Sequence, residues 1–234
     1  MTAPVLLEYL LVKWKQLKMK IINAKHTILT PINGEAVLKN IEDIGRVCYK
    51  SEDKITENSA RNFIFMLIER RHEAMIEHYS FTVKFICDRG VSHEIVRHRI
   101  ASYAQESTRY CNYTKEKFGK EITFIKPCFF ENSDNKNKYL TWLDAMTQAE
   151  KYYFELIAAG YTPQEARSVL PNSTKTELIV TMNLREWRHF FKLRTALTAH
   201  PQMRELTIPL LFEIKSLIPV VFDDIPCELF NLQH

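Results

Sequence analysis

Residues 176–194 read TELIVTMNLREWRHFFKLR. Thr176 to Met182 is dense in β-branched and apolar side chains and reads as a strand. Asn183, a residue type that caps helices, then opens a helix through Arg194. On its C-terminal side a last amphipathic helix spans about Met203 to Leu217. On its N-terminal side Thr162-Pro163-Gln164-Glu165 is a helix start, with a cap, a proline at the first turn and a glutamate closing a capping box. A long helix before it is stopped by Gly160. Thr123 to Phe130 reads as a strand, ended by a polar loop through Asn137.

The pattern continues toward the N-terminus. Phe81, Val83, Phe85 and Cys87 alternate with polar neighbours as in a half-buried strand, and Ser92 is placed to cap a short helix to about Arg99. Asn58 or Ser59 can cap a helix carrying Phe63, Met66, Leu67 and Arg70. Val37, Ile41, Ile44 and Cys48 form one helical stripe between Val37 and Tyr49, and KIINAKHTIL (20–29) is strand-like. The order is strand, helix, helix, strand, helix, strand, helix, helix, strand, helix, helix. That order predicts a mixed α/β fold, helices packed on a mixed sheet, in a single catalytic domain over residues 19–234. Residues 1–18 read as an upstream extension or a docking helix, the extension being the favoured reading. Their lysines follow the apolar stretch instead of preceding it, which is the wrong order for a signal peptide.

Composition removes several functions. Five glycines in 234 residues, none near another, exclude a G-x-G-x-x-G turn and a phosphate loop. A nucleotide must then be held by side chains and helix ends. No run of about 18 apolar residues is present, so no membrane-spanning helix and no membrane partner are expected. A net charge of +4 is too weak to mark a nucleic-acid binder. Five scattered cysteines without C-x-x-C give no zinc knuckle and no disulfide framework, which points to a reducing, cytoplasmic setting.

No metal centre is expected. His93-Glu94 and His98 imitate a zincin helix, but the histidines are five apart where one helix face needs four, and His72-Glu73 with Glu77-His78 fails the same test. His78 reads as a core histidine. The segment RHRIASYAQESTR (97–109) differs. It carries Arg97, His98, Arg99 and Arg109 with only Glu106 as an acid, and with Ser102, Gln105, Ser107 and Thr108 as partners. Glu94, Arg97 and His98 would share a helix face, followed by a serine-rich turn able to offer N–H groups to an anion. Guanidinium forks match phosphate, so a phosphorylated ligand is expected.

Arg97-His98-Arg99, seven residues and Ser107 resemble the R-H-R-x7-S signature of the flavin-dependent thymidylate synthases. His72-Glu73, Glu77-His78, Arg167 before Leu170-Pro171, Asn183-x-Arg185 and Leu193-Arg194 follow in family order. The resemblance implies the methyltransferase reaction dUMP to dTMP, with methylenetetrahydrofolate as carbon donor, FAD as redox carrier and NADPH as reductant. It also implies a homotetramer with sites shared between subunits, and no cysteine nucleophile. By the same resemblance Glu94, Arg97, Gln105, Glu106, Ser107, Thr108, Arg109, Arg167 and Arg194 face dUMP, Arg194 being the catalytic arginine that favours the ionised uracil N3. His72, Arg97, His98, Arg99, Gln105, Asn183, Arg185 and His189 fall on FAD positions. Gln105, His189 and Ala74 depart from residues that some members carry there. Pro127-Cys128 is similar to the nucleophile of the cysteine-dependent thymidylate synthases, but Phe129 stands where those place histidine, so a buried thiol is expected. Cys48 and Cys87, on apolar stripes, are expected to be buried as well.

The competing reading is an arginine-rich nucleotide or single-stranded nucleic-acid binding module without catalysis. It would need Tyr103, Tyr110 and Tyr113 as stacking platforms beside the arginines.

Overall fold

A computed structural model describes residues 19–116, 119–130 and 136–226. The expected extension at 1–18, part of the polar loop before Asn137, and Cys227 lie outside the described residues. The fold is mixed α/β. Chain contacts among the described residues gather into two compact units, one drawn from 24–105 and 176–226, the other from 19–23 and 106–175.

The larger unit is built on a four-stranded sheet of order β2-β3-β6-β4, from β2 (Lys25–Ile28), β3 (Ser80–Asp88), β4 (Ala101–Gln105) and β6 (Lys175–Asn183). β2 runs antiparallel to β3, and β4 antiparallel to β6 with Tyr103 opposite Val180. Burial alternates along β3 and β6 as the sequence requires, with Phe81, Val83, Phe85 and Cys87 buried on one and Leu178, Val180 and Met182 on the other. Helices α1 (Gly34–Tyr49), α2 (Ser59–Glu69), α3 (Arg89–Ile95), α6 (Leu184–Arg194) and α7 (Pro201–Leu217) supply the rest of this unit's core. α1 and α2 pack closely at Gly45, where a Cβ would come within 2.5 Å of the Phe63 ring.

The smaller unit pairs β1 (Lys20–Ile22) in parallel with β5 (Thr123–Ile125) and adds α4 (Lys136–Ala158) and the short α5 (Pro163–Ala166). Its core is Tyr113, Ile122, Phe124, Met146, Tyr153 and Ala166. Gly160 ends α4 at a φ of +93, a conformation costly for any side chain, and the Thr162–Glu165 capping box starts α5.

Several local expectations are corrected. The run 20–29 is two short strands in two sheets, because Asn23 and Ala24 interrupt it. Asp88 caps α3 by accepting from the Val91 N–H, while Ser92 lies inside the helix and donates to Arg89 O. That helix ends at Ile95, so Glu94, Arg97 and His98 do not share one regular helix face, and residues 101–105 form a strand instead of a serine-rich turn. Only 123–125 of the expected 123–130 strand is extended; Cys128–Phe130 is a 3-10 turn. On α1 the buried face is Val37, Leu38, Ile41, Glu42 and Gly45, leaving Cys48 exposed. His78 is exposed, not a core residue.

Candidate active site

In the larger unit, α6 is the scaffold. The Asn183 side chain accepts from the Glu186 N–H at 2.9 Å, fixing where the helix begins. Trp187, Phe190 and Phe191 then point into the core, with Trp187 stacked on Phe81 and its indole N–H bonded to Phe81 O. The same 3.6-residue turn carries Arg185, Glu186 and His189 away from that core.

Arg194, at the end of α6, is held on three nitrogens. Nε donates to His98 Nε2 at 3.0 Å, Nη1 to Glu94 Oε2 at 2.6 Å and Nη2 to the Glu94 carbonyl at 3.1 Å. A guanidinium has five N–H bonds, so two remain for a ligand. His98 is buried, with Nδ1 3.3 Å from Glu186 Oε1 and its ring edge-on to Phe190. Burial, then the positive Arg194 and the neighbouring His189, lower its pKa to about 4, so the imidazole is neutral at physiological pH. Burial raises the Glu186 pKa, an effect His189 opposes.

Beside this group lies a cavity of about 360 Å³, lined by Glu73, Glu77, Ile100, Asn183, Arg185, Glu186, Arg188, His189 and Lys192. Arg185 bonds Glu77 at 2.5 Å and approaches Glu73 at 3.7 Å. Of the expected FAD residues, Asn183, Arg185 and His189 line this cavity and His98 packs against His189. The others are elsewhere. His72 is exposed and pairs with Tyr49; Arg97 and Arg99 are exposed, Arg99 donating to Val96 O; and the Gln105 amide donates to Ser92 and Thr176. Glu73, Glu186 and Lys192 escaped sequence reasoning as site residues. A signal for Glu186 was available, since it stands three residues after the cap.

The smaller unit gathers the other expected residues. Arg109 Nε donates to Gln164 Oε1 at 3.0 Å, and Arg167 Nη1 donates to the buried Thr108 hydroxyl at 3.3 Å. Ser107 O accepts from the Tyr110 and Cys111 N–H groups, making a tight turn, and Glu106 pairs with Lys175 at 2.9 Å. Gln164 and Lys175 were not foreseen. Both guanidiniums here are held through one nitrogen by neutral groups, leaving most of their donors for an anion.

His98, Glu186 and His189 offer three ligand atoms within 4.8 Å of one another, the metal-capable group found among the described residues. The nitrogen of His98 that faces Glu186 is Nδ1, and a cation there would share the imidazole with the positive Arg194 bonded to Nε2.

The family model for "Thymidylate synthase complementing protein" matches residues 34–220. A flavin-dependent thymidylate synthase of Pyrococcus abyssi is 35% identical over 74% of this chain and 70% of its own length. Another, of Geobacter sulfurreducens, is 33% identical over 76% of this chain and 78% of its own. The chain belongs to the flavin-dependent thymidylate synthase family. Its fold is also that of a UMP/dUMP methylase, PolB of Streptomyces cacaoi, solved with 5-Br UMP: TM-score 0.72 at 20% identity, covering 88% of this chain and 95% of that one. The family span contains every site residue named above, from His72 to Arg194.

Two features bear on competing chemistry in this family member. Of the three tyrosines that a nucleic-acid module would need as platforms, Tyr113 is buried and Tyr103 is half-buried with its hydroxyl on Ile95 O and His98 O; only Tyr110 is well exposed. The stacking surface is not assembled, and the module reading loses its support. Cys87 and Cys128 are buried, and burial pushes the Cys87 thiol pKa up, away from thiolate reactivity. Cys111 is half-buried in the turn after Arg109. Cys111→Ala and Cys128→Ala are each expected to keep turnover within about tenfold. A loss of ~10⁴ in either, with ligands still bound, is the size that removing a nucleophile produces and would make that thiol catalytic. No helix among the described residues is long and apolar enough to cross a membrane.

Proposed function

We propose that this chain is a flavin-dependent thymidylate synthase that converts dUMP to dTMP, taking its carbon from methylenetetrahydrofolate, with FAD as redox carrier and NADPH as reductant. The observation that carries the reading is Arg194, fixed by His98 and Glu94 with two donors to spare. Uracil N3–H is a weak acid. A guanidinium beside O2 and N3, held in place before substrate arrives, stabilises the anion without reorganisation cost. Arg109 and Arg167 are assigned to the nucleotide phosphate together with Glu106, Ser107 and Thr108; Glu94, Arg97 and Gln105 are likewise assigned to dUMP.

The donor set fits a flavin. The cavity beside His98 combines Asn183, Arg185 and His189 as hydrogen-bonding groups with the exposed apolar Ile100, which suits a flat ring edged with carbonyls and nitrogens. His72, Arg97, His98 and Arg99 are assigned to the same cofactor. When bound, FAD supplies the hydride chemistry. The protein orients the reactants and places charge.

The test is direct. Methylation at C5 replaces the C5 hydrogen, so dUMP tritiated at C5 must release tritium to water. Purified protein should be yellow and release tritium only with methylenetetrahydrofolate and reductant present; UMP serves as the alternative substrate. A colourless protein that releases none under these conditions overturns the assignment.

Exposed apolar surface supports an assembly of several chains. Phe65, Ile100, Leu193 and Leu197 are exposed apolar residues, Ile100 and Leu193 beside the residues assigned to FAD, and we expect a homotetramer that covers them and shares its sites. Light scattering of flavin-loaded protein should return the mass of four chains. A monomer mass would sink this.

A further inference from the structure

We infer that Glu186 is a positioning residue, which fixes the Nδ1–H tautomer of His98 and through it the orientation of the Arg194 guanidinium. The inference rests on the assignment of Arg194 to dUMP above and adds a residue to it.

The geometry forms one chain of hydrogen bonds. Arg194 Nε has only a proton to offer, so His98 Nε2, 3.0 Å away, must present its lone pair. A neutral imidazole carries one proton, which must then sit on Nδ1. Nδ1 faces Glu186 Oε1 at 3.3 Å, and a carboxylate only accepts. The charges around the ring are Glu186, His189 and Arg194 from α6 and Glu94 from α3, with Arg99 and the Tyr103 hydroxyl at its backbone side. Glu186 is the only one of these that touches Nδ1. It is itself placed by the helix cap, because its own N–H is bound by Asn183.

Glu186 also has little reason to be there on stability grounds. Its side chain is 13% exposed and its partner is a neutral ring, a poor return for desolvating a carboxylate. Without it, His98 can place its proton on Nε2. That nitrogen then meets the Arg194 Nε–H donor to donor, and the guanidinium loses one of its three anchors.

The test reads the tautomer by itself and then the kinetics. Solid-state NMR of protein labelled with ¹⁵N histidine and arginine, with His98→Gln and Arg194→Lys to assign signals, should show His98 neutral with the proton on Nδ1 at pH 7.5. Glu186→Leu should move His98 toward the Nε2–H form and shift the Arg194 Nε signal. Measured per bound flavin and at saturating dUMP, it should lower kcat about 10–100-fold, as for a misplaced reacting group. Glu186→Gln, whose amide oxygen can still accept, should recover most of kcat and the Nδ1–H form. Wild-type His98 found with its proton on Nε2 or doubly protonated, an unchanged tautomer in Glu186→Leu, or a Glu186→Leu kcat within about twofold of wild type overturns the inference. The NMR readout needs no substrate. If wild-type protein releases no tritium from dUMP, the function falls while the spectrum still decides the tautomer and its effect on Arg194.

Discussion

Arg194→Ala is expected to lower dTMP formation about 10²–10³-fold at saturating dUMP, the range found when one preorganised donor to a developing anion is removed. The effect should appear mainly in kcat, because the arginine acts chiefly on the chemical step through the charge of the reacting uracil. Structure explains why a neighbour cannot substitute. The guanidinium is seated by His98 Nε2, the Glu94 carboxylate and the Glu94 carbonyl, and a shorter cation would not reach all three. Arg194→Lys should therefore recover little, since an ammonium lacks the planar fork. The check is steady-state kinetics with dUMP varied and flavin occupancy confirmed by absorbance. Normal turnover of Arg194→Ala at saturation would remove the residue from the chemistry.

Arg188→Ala is expected to cost about 3 kcal/mol of folding stability, the low end for breaking a buried ion pair from one side. Arg188 is 2% exposed, bonds both oxygens of Asp224 at 2.6 and 2.8 Å, reaches Glu73 at 3.2 Å and donates to the Val221 carbonyl. It ties the segment after α7 to α6. Asp224 and Glu73 retain some access to water, which keeps the penalty from the upper end. For a chain of this length the loss corresponds to a fall in Tm of roughly 6–12 °C. A change under about 2 °C would show that the network contributes specificity without stability.

Acid sensitivity follows with its sign. His98 has a folded pKa of about 4 against an ordinary 6.5, so between those values the unfolded chain binds a proton that the folded chain does not. Stability then falls as pH drops through that window. Burial alone would raise the Asp224 pKa, but its bonds and charge contact with Arg188 outweigh it and the net shift is downward. Its contribution is present above 3.8 and is lost below, as pH passes the folded value. In Arg188→Ala the second loss should vanish while the first remains.

How far residues alone carried the reading differs from element to element. Helix α6 was legible because its cap, its apolar period and its boundaries are all local: Asn183 bonds the N–H three residues on, and Trp187, Phe190 and Phe191 follow the helix turn. The same holds for the alternation of β3 and for the Thr162–Glu165 box. Strand β4 was not legible. ASYAQ has no apolar alternation, and it is extended because β6 offers it a ladder, a partner some seventy-five residues away.

The site divides along the same line. Which side chains could bind an anion, and that no glycine cradle or zinc knuckle exists, follow from residue types and spacing in one dimension. So does the family, through its ordered motif. Only the tertiary structure decided the pairings: Arg194 with His98 and Glu94 across about a hundred residues, Arg167 with Thr108, and Arg185 with Glu77. It also removed the Ser92 cap and exposed Cys48 and His78. The physical reason is range. Capping and periodicity act within a turn or two of chain, so they are written in neighbouring letters. Burial and long-range hydrogen bonds depend on where the sheet brings distant segments, and a buried histidine acquires its proton state only from the neighbours that folding supplies.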